Sequence, residues 1–268
     1  MTKTILITGA GSGFAEAAAI GMAQAGHNII ATAQISPQVA ALRTKVANLG
    51  LDNVRVEKLD LLDPYDMAFI QTLDADILWN NAGYGESGPV SEIPLDLVRK
   101  NYEINVFKPL ELTQAFIAKW VPERKSGKKI VFTSSMGGLF TPAGWGTYVS
   151  TKHALESVAE AIAQEVAPFG IKVQTINPGA YLTGYNETMA DTAFRWLDDA
   201  KNFTKRGELR ATFDALLASP QGHLDPKEMI DRMIAIVPAD TGKVRNVCPQ
   251  FVEDMLKDAQ AAAWTAEI

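Results

Sequence analysis

Short apolar runs alternate with amphipathic stretches over the first two thirds of the chain. Residues 4–8 (TILIT) form an unbroken apolar run of the kind that fills a strand covered on both faces. Residues 13–25 are rich in alanine, follow a glycine-rich turn and stop at Gly26, which predicts a helix. The pair then recurs, with a strand at 28–33 and a helix at 37–49, a strand at 54–59 and a helix at 64–72. A strand at 75–79 runs into a second glycine-rich turn at 83–88. The pattern continues with a long helix over 95–120 that breaks near Pro109, a strand at 129–133, a helix at 148–169 and a strand at 171–176. Such alternation predicts an α/β chain whose doubly wound parallel sheet carries helices on both faces. Its ligand crevice belongs outside the carboxyl ends of the strands.

The rhythm stops after Gly179. Residues 180–226 mix aromatics, charges and prolines without a clear strand, which predicts a helical insertion or lid. A helix at 227–237 and a weak strand around 243–247 return the chain to the sheet. No repeat or linker divides the 268 residues, so one domain spanning 1–268 is expected. Apolar residues at 47% and charged residues at 21% exclude a disordered or fibrous class. With 25 Lys/Arg against 31 Asp/Glu the net charge is −6, a surface that repels phosphate backbones, so nucleic acid is not an expected partner. The lone Cys248 excludes an intrachain disulfide framework, and His27, His153 and His223 lack metal-ligand spacing, so no metal is expected. No apolar run reaches the ~18 residues of a membrane span, and the first strand starts too early for a signal peptide. A reduced, cytoplasmic protein with no membrane partner is the expectation.

Three sets of residues carry candidate chemistry. The turn Thr8-Gly9-Ala10-Gly11-Ser12-Gly13-Phe14-Ala15 lies between the first strand and the first helix. Glycines let the backbone approach a bulky anion, and the helix N-terminus favours a pyrophosphate. Alone such a turn is equally a structural one; its place in an alternating chain points to a cradle. Asp60-Leu61 and Asn80-Asn81-Ala82-Gly83 follow the third and fourth strands at the same sheet edge, where each by itself reads as turn chemistry. Tyr148 and Lys152 are four apart on one helix, hence on one face. A phenol must drop by about 3 pKa units to trade protons near neutrality, worth roughly 4 kcal/mol. One ammonium at about 4 Å supplies roughly that much at an effective dielectric near 20. Ser135, just past the fifth strand, offers a hydroxyl to a substrate oxygen.

Together these residues resemble the short-chain dehydrogenase/reductases, in the single-domain branch with a Thr-Gly-x-x-x-Gly-x-Gly loop and a Rossmann fold. The matching elements, Thr8 to Ala15, Asp60, Asn80 to Gly83, Asn105, Ser135, Tyr148, Lys152 and Asn177-Pro178-Gly179, fall in family order over residues 4–183. A looser likeness is to hydroxysteroid- and retinol-dehydrogenase-like members. The resemblance implies an NAD(P)-dependent oxidoreductase interconverting a secondary alcohol and a carbonyl. Tyr148 is then the general acid or base, Lys152 lowers its pKa and holds the nicotinamide ribose, Ser135 polarises the substrate oxygen, and Asn105 holds a relay water at a helix kink. Gly9, Ser12, Gly13 and Phe14 are implied at the pyrophosphate and nearby ribose, with Asp60 and Leu61 at the adenine. Asn81, with Ala82 and Gly83, falls to the adenosine-side ribose and adjoining backbone, and Pro178, Gly179 and Thr183 to the nicotinamide.

Coenzyme choice turns on the end of the second strand. Ala33 stands where NAD-preferring members place a carboxylate, and Gln34 where NADP-preferring ones often place arginine. Lacking the repulsive carboxylate, the chain leans to NADP(H). Phe140, Trp145, Tyr181, Tyr185, Phe194 and Trp196 are candidates to line the substrate site, equally able merely to anchor the lid. Ser135, Trp145, Tyr148 and Tyr185 are the expected substrate contacts. The family pairs through the helices bearing Asn105 and Tyr148, which implies a homodimer or homotetramer with His153 and Ser157 near the interface. Two other functions share the scaffold. A halohydrin-dehalogenase-like lyase would carry arginine in place of Lys152 and lack the glycine loop, and a non-catalytic redox sensor would have no use for a tuned phenol. Trp79, in a strand where small aliphatics pack, has no role in this scheme.

Overall fold

Strand β1 (Thr4–Ile7) lies at the centre of a parallel sheet, between β2 (Asn28–Ala33) and β4 (Ile77–Asn80). Beyond β2 lies β3 (Val54–Lys58). Past β4 the sheet continues through β5 (Lys129–Thr133), β6 (Lys172–Pro178) and β7 (Arg245–Cys248). The computed structural model describes residues 1–123, 127–219, 222 and 224–267; His223 and part of the expected 180–226 insertion therefore lie outside the described residues.

Strand side chains alternate between two cores because successive residues point to opposite faces. Ile5, Ile7, Trp79, Val131 and Ile176 meet α1 (Gly13–Gln24), α2 (Ser36–Asn48) and α9 (Pro226–Ile236). Leu6, Ile30, Leu78, Ile130 and Phe132 meet α3 (Pro64–Gln71), α5 (Lys108–Glu123) and α6 (Gly146–Val166) on the other side. Each such fully buried aliphatic or aromatic side chain is worth roughly 1.5–3 kcal/mol, which is why the central strands read as continuous apolar runs.

One expectation is corrected here. The break in the long helix falls not at Pro109 but upstream, where α4 (Leu95–Tyr102) passes through a π-helical turn, Glu103–Phe107, into α5. Pro109 has no N–H for the carbonyl four residues back, that of Asn105, so the regular α-helical bond cannot form there. Residues 180–226 hold two helices, α7 (Tyr185–Trp196) and α8 (Arg206–Leu217). A C-terminal helix, α10 (Gln250–Ala263), for which no element was expected, follows β7 and packs Val252 and Leu256 against Val247. Among the described residues, no helix is long and apolar enough to cross a membrane, and no group of His, Cys, Asp or Glu is placed to hold a metal.

Candidate active site

The sheet's topological switch lies between β1 and β4, from which the connections run off in opposite directions, and a cavity of about 590 Å³ opens at their carboxyl ends. Its floor is the β1–α1 turn. Gly9 has φ +69°, and a Cβ there would stand 2.8 Å from Cα of Ala82, so only glycine lets the two loops cross. Gly13 opens α1 with φ +65°, and nothing lies within 4 Å of where its Cβ would be. Ser12 makes no side-chain cap to α1, leaving its hydroxyl and the first-turn N–H groups facing the cavity with Phe14.

The β1 and β4 turns are stitched together. Thr8 Oγ1 accepts the N–H groups of Asn81 and Ala82, each at 2.9 Å, while the Asn81 carboxamide donates to the carbonyls of Thr8 and Gly9 at 3.2 and 3.3 Å. On the β2 side, Gln34 Nε2 donates to Asp60 Oδ2 at 3.4 Å, and Asp60 Oδ1 caps the N–H of Leu62 at 3.0 Å. Leu61 lines the same end, Gly83 the middle, and Pro178, Gly179 and Thr183 the opposite wall. Every residue expected at a dinucleotide thus lines this one cavity. A narrow cradle without side chains, an open helix N-terminus and a volume within the range of ligand pockets make it a fit for an elongated diphosphate.

Ser135, Tyr148 and Lys152 stand together at the other end. Ser135 follows β5 and caps a short turn, its Oγ accepting the N–H of Gly137 at 3.0 Å. Tyr148 and Lys152 are buried on the first turns of α6. The Tyr148 hydroxyl lies beside Ser135 and Tyr185, the first residue of α7, all three lining the same end of the cavity. Lys152 Nζ donates to the carbonyl of Thr133 at 2.9 Å and lies 5.6 Å from the centre of the Tyr148 ring.

Asn105, in the π turn, does not line the cavity but fixes one of its walls. Its Oδ1 accepts the N–H of Tyr84 at 2.8 Å, and its Nδ2 donates to the Tyr84 carbonyl at 2.7 Å and to Thr151 Oγ1 at 2.9 Å. Tyr84 in turn donates to the buried Glu86.

Burial sets the proton affinities at this end. Burial pushes Tyr148 up to about 12, with the neighbouring Ser135 and Tyr185 opposing. Burial also pulls Lys152 down to about 8, with Glu156 resisting.

Trp145 is corrected as a substrate contact. It is buried away from the cavity, 4.8 Å from the ring of Phe213, in an apolar cluster with Leu209 and Ala193. Phe194 and Trp196 pack against the same cluster, and Phe140 packs by Val252 and Leu256. Of the six aromatic candidates only Tyr181 and Tyr185 reach the cavity, Tyr181 meeting Phe14 edge-on at 5.5 Å. Two elements of the site went unread in the sequence. The Thr133 carbonyl that receives Lys152 is main chain and leaves no side-chain signal. Glu156 lies one turn past Lys152 on the buried face of α6, where a carboxylate is out of place and could have drawn notice. It accepts from Asn177 Nδ2 at 2.6 Å, and Asn177 also donates to the Ser135 carbonyl at 3.2 Å.

Known proteins share this architecture. A family model described as short chain dehydrogenase matches residues 3–193. An uncharacterized oxidoreductase of Bacillus subtilis, YusZ, is 33% identical over 187 residues, 68% of this chain and 66% of that protein. Thus the chain matches just under two thirds of that relative's length. The uncharacterized oxidoreductase YbbO of Escherichia coli K12 is 30% identical over 72% of this chain and 71% of its own. The crystal structure of a short-chain dehydrogenase from Streptomyces avermitilis superimposes with a TM-score of 0.79 at 27% identity, covering 99% of this chain and 94% of that one. A putative NAD(P)-dependent gluconate 5-dehydrogenase from Beutenbergia cavernae, solved with NADP, gives 0.72 at 25% identity over 91% and 94%. The matched span runs from β1 through most of α7 and takes in the cradle, Asn105, Ser135, Tyr148 and Lys152. The chain therefore belongs to the short-chain dehydrogenase/reductase family of NAD(P)-dependent oxidoreductases.

Proposed function

We propose that this protein interconverts a secondary alcohol and a carbonyl, with Tyr148 moving the proton. The observation that carries the reading is that Ser135, Tyr148 and Lys152 line one end of a cavity whose other end is the glycine cradle. A bound nicotinamide would accept or give the hydride, and the protein supplies alignment and charge. Gly9, Ser12, Gly13 and Phe14 would hold the diphosphate, Asp60 and Leu61 the adenine, and Asn81, Ala82 and Gly83 the adjoining ribose. Pro178, Gly179 and Thr183 would flank the pyridine ring.

In reduction, Ser135 orients the substrate oxygen and the Tyr148 hydroxyl gives it a proton; in oxidation the direction reverses. Lys152 would hold the nicotinamide ribose and stabilise the phenolate as it forms. The Asn105 side chain is committed to Tyr84 and Thr151, so what it has left for a relay water is its main-chain carbonyl, which Pro109 cannot bond. Tyr185 covers the substrate end, where a substrate oxygen would take its place, which makes the start of α7 a lid.

Coenzyme choice leans to NADP(H). No carboxylate stands at Ala33 or Gln34, and the neutral carboxamides of Gln34 and Gln38 line the cavity there. The protein works in the cytoplasm as a homodimer or homotetramer joined through α5 and α6, where Phe107 and His153 are exposed; a monomeric mass in sedimentation would rule this out. The test of the reaction follows nicotinamide fluorescence with both coenzymes against ketones, aldehydes, sugars and secondary alcohols. Tyr148→Phe should lose orders of magnitude in rate with dinucleotide affinity nearly kept. An undiminished rate in that variant would end the reading.

A further inference from the structure

Trp79 is wholly buried in β4, paired in register with Ile7 of β1 and Val131 of β5. An aliphatic residue would fill that place without bringing a polar atom into the core. Strand periodicity puts Thr133 on the same face as Val131, two residues on, within diagonal reach of a long side chain. The indole uses that reach, and Nε1 donates to Thr133 Oγ1 at 2.8 Å.

The consequence follows from counting protons. An indole N–H can only donate, so the Thr133 oxygen must accept, and its single hydrogen is left for another partner. That partner is Asn81 Oδ1, at 3.0 Å. With its oxygen so engaged, Asn81 presents its NH2 group to the carbonyls of Thr8 and Gly9, both of which can only accept. The Thr133 main-chain carbonyl, meanwhile, receives Lys152 Nζ. One residue therefore stands between the two ends of the cavity, with its hydroxyl toward the cradle and its carbonyl toward the reactive lysine.

We infer that Trp79 is a positioning residue: by fixing the direction of the Thr133 hydroxyl it holds the Asn81 carboxamide against the glycine cradle and keeps the Thr133 carbonyl under Lys152. This rests on the reading of the cavity as a dinucleotide site, which Asn81 helps to build. Trp79 touches neither coenzyme nor substrate, and acts only through Thr133.

The test uses Trp79→Phe, Thr133→Val and the double variant, with NADPH and NADH affinities measured by fluorescence and the protein labelled with 15N at tryptophan. Each single variant should weaken binding of the better coenzyme about tenfold, the worth of one buried hydrogen bond near 1.4 kcal/mol. The double variant should lose no more than either single one, because both break the same chain. In Thr133→Val, the indole signal that Trp79→Phe removes should move upfield and exchange faster. Multiplying losses, an unmoved indole signal, or affinity within twofold of the parent in either variant would overturn the inference. If Trp79→Phe does not fold, Thr133→Val decides by affinity alone. Parent protein that binds neither coenzyme would sink the dinucleotide reading itself and this inference with it, whereas a binding parent with indifferent variants would sink only the inference.

Discussion

The rings of Tyr148 and Tyr185 lie 5.9 Å apart and inclined at 58°, side by side at one end of the cavity. The second tyrosine thus holds a position at the first that a substrate oxygen needs. Removing its hydroxyl should ease entry. Tyr185→Phe is expected to lower KM for the carbonyl substrate a few-fold, with a larger change in KM than in kcat, since the hydroxyl competes with the substrate oxygen for the space beside Tyr148. Steady-state kinetics check this, and a KM that rises instead would mean that Tyr185 binds the substrate rather than covering its site.

Glu156 governs the alkaline side of the pH profile. Burial pulls Lys152 down to about 8, and Glu156 opposes the pull. In reduction both Tyr148 and Lys152 work in their protonated forms, so activity is expected to fall as pH rises through about 8. Glu156→Gln removes the charge that resists, and that fall should then begin at lower pH. It should also cost about 1–3 kcal/mol of stability, because Arg245 Nε donates to Glu156 Oε2 at 3.1 Å. Profiles of kcat/KM against pH for the two proteins, with urea melts, test both statements.

Gly9 and Gly13 share a left-handed backbone but not their surroundings. Alanine at either costs about 1–2 kcal/mol in backbone strain. At Gly9 the new Cβ would also stand 2.8 Å from Cα of Ala82, whereas at Gly13 it meets nothing. Gly9→Ala should therefore melt lower than Gly13→Ala, and it should separate the β1 and β4 turns enough to weaken dinucleotide binding at least tenfold. Calorimetry with and without coenzyme reads both effects.

Far from the cavity, Lys129 is buried with its ammonium donating to the carbonyls of Ile236, Val237 and Ala239 at 2.8, 3.0 and 2.9 Å, capping α9. Lys129→Met strands these carbonyls and should cost about 2–4 kcal/mol. Burial, with Lys3 nearby, pulls Lys129 down to about 7, against about 10.4 in the unfolded chain. Between those values the unfolded chain binds more protons, so the folded state gains stability as pH rises. The penalty for burying the charge is full below about 7 and fades above it. The stability gap between parent and Lys129→Met should accordingly be wider at pH 9 than at pH 6.5 in urea titrations.

Much of this protein was legible along the chain because its signals are local. Strand periodicity, helix stops at Gly26 and Gly50, the turn from Gly9 to Gly13, and the four-residue step from Tyr148 to Lys152 need only neighbours in sequence, and β1 to β6 and the line of cavity residues follow from them. What the chain could not reveal is who meets whom at long range. Trp145 lies three residues before Tyr148, yet Phe213 draws it into an apolar cluster and away from the cavity. The helix break falls not at Pro109 but around Asn105, one turn upstream, whose carbonyl the missing N–H cannot bond. The tyrosine's proton affinity depends on burial beneath Tyr185, and Trp79 finds its acceptor 54 residues away. Sequence by itself settled the order of elements and the kinds of chemical group at the sheet edge. Only tertiary packing decided their hydration, their protonation and their hydrogen-bond partners, since these depend on distances across space that no run of neighbouring residues encodes.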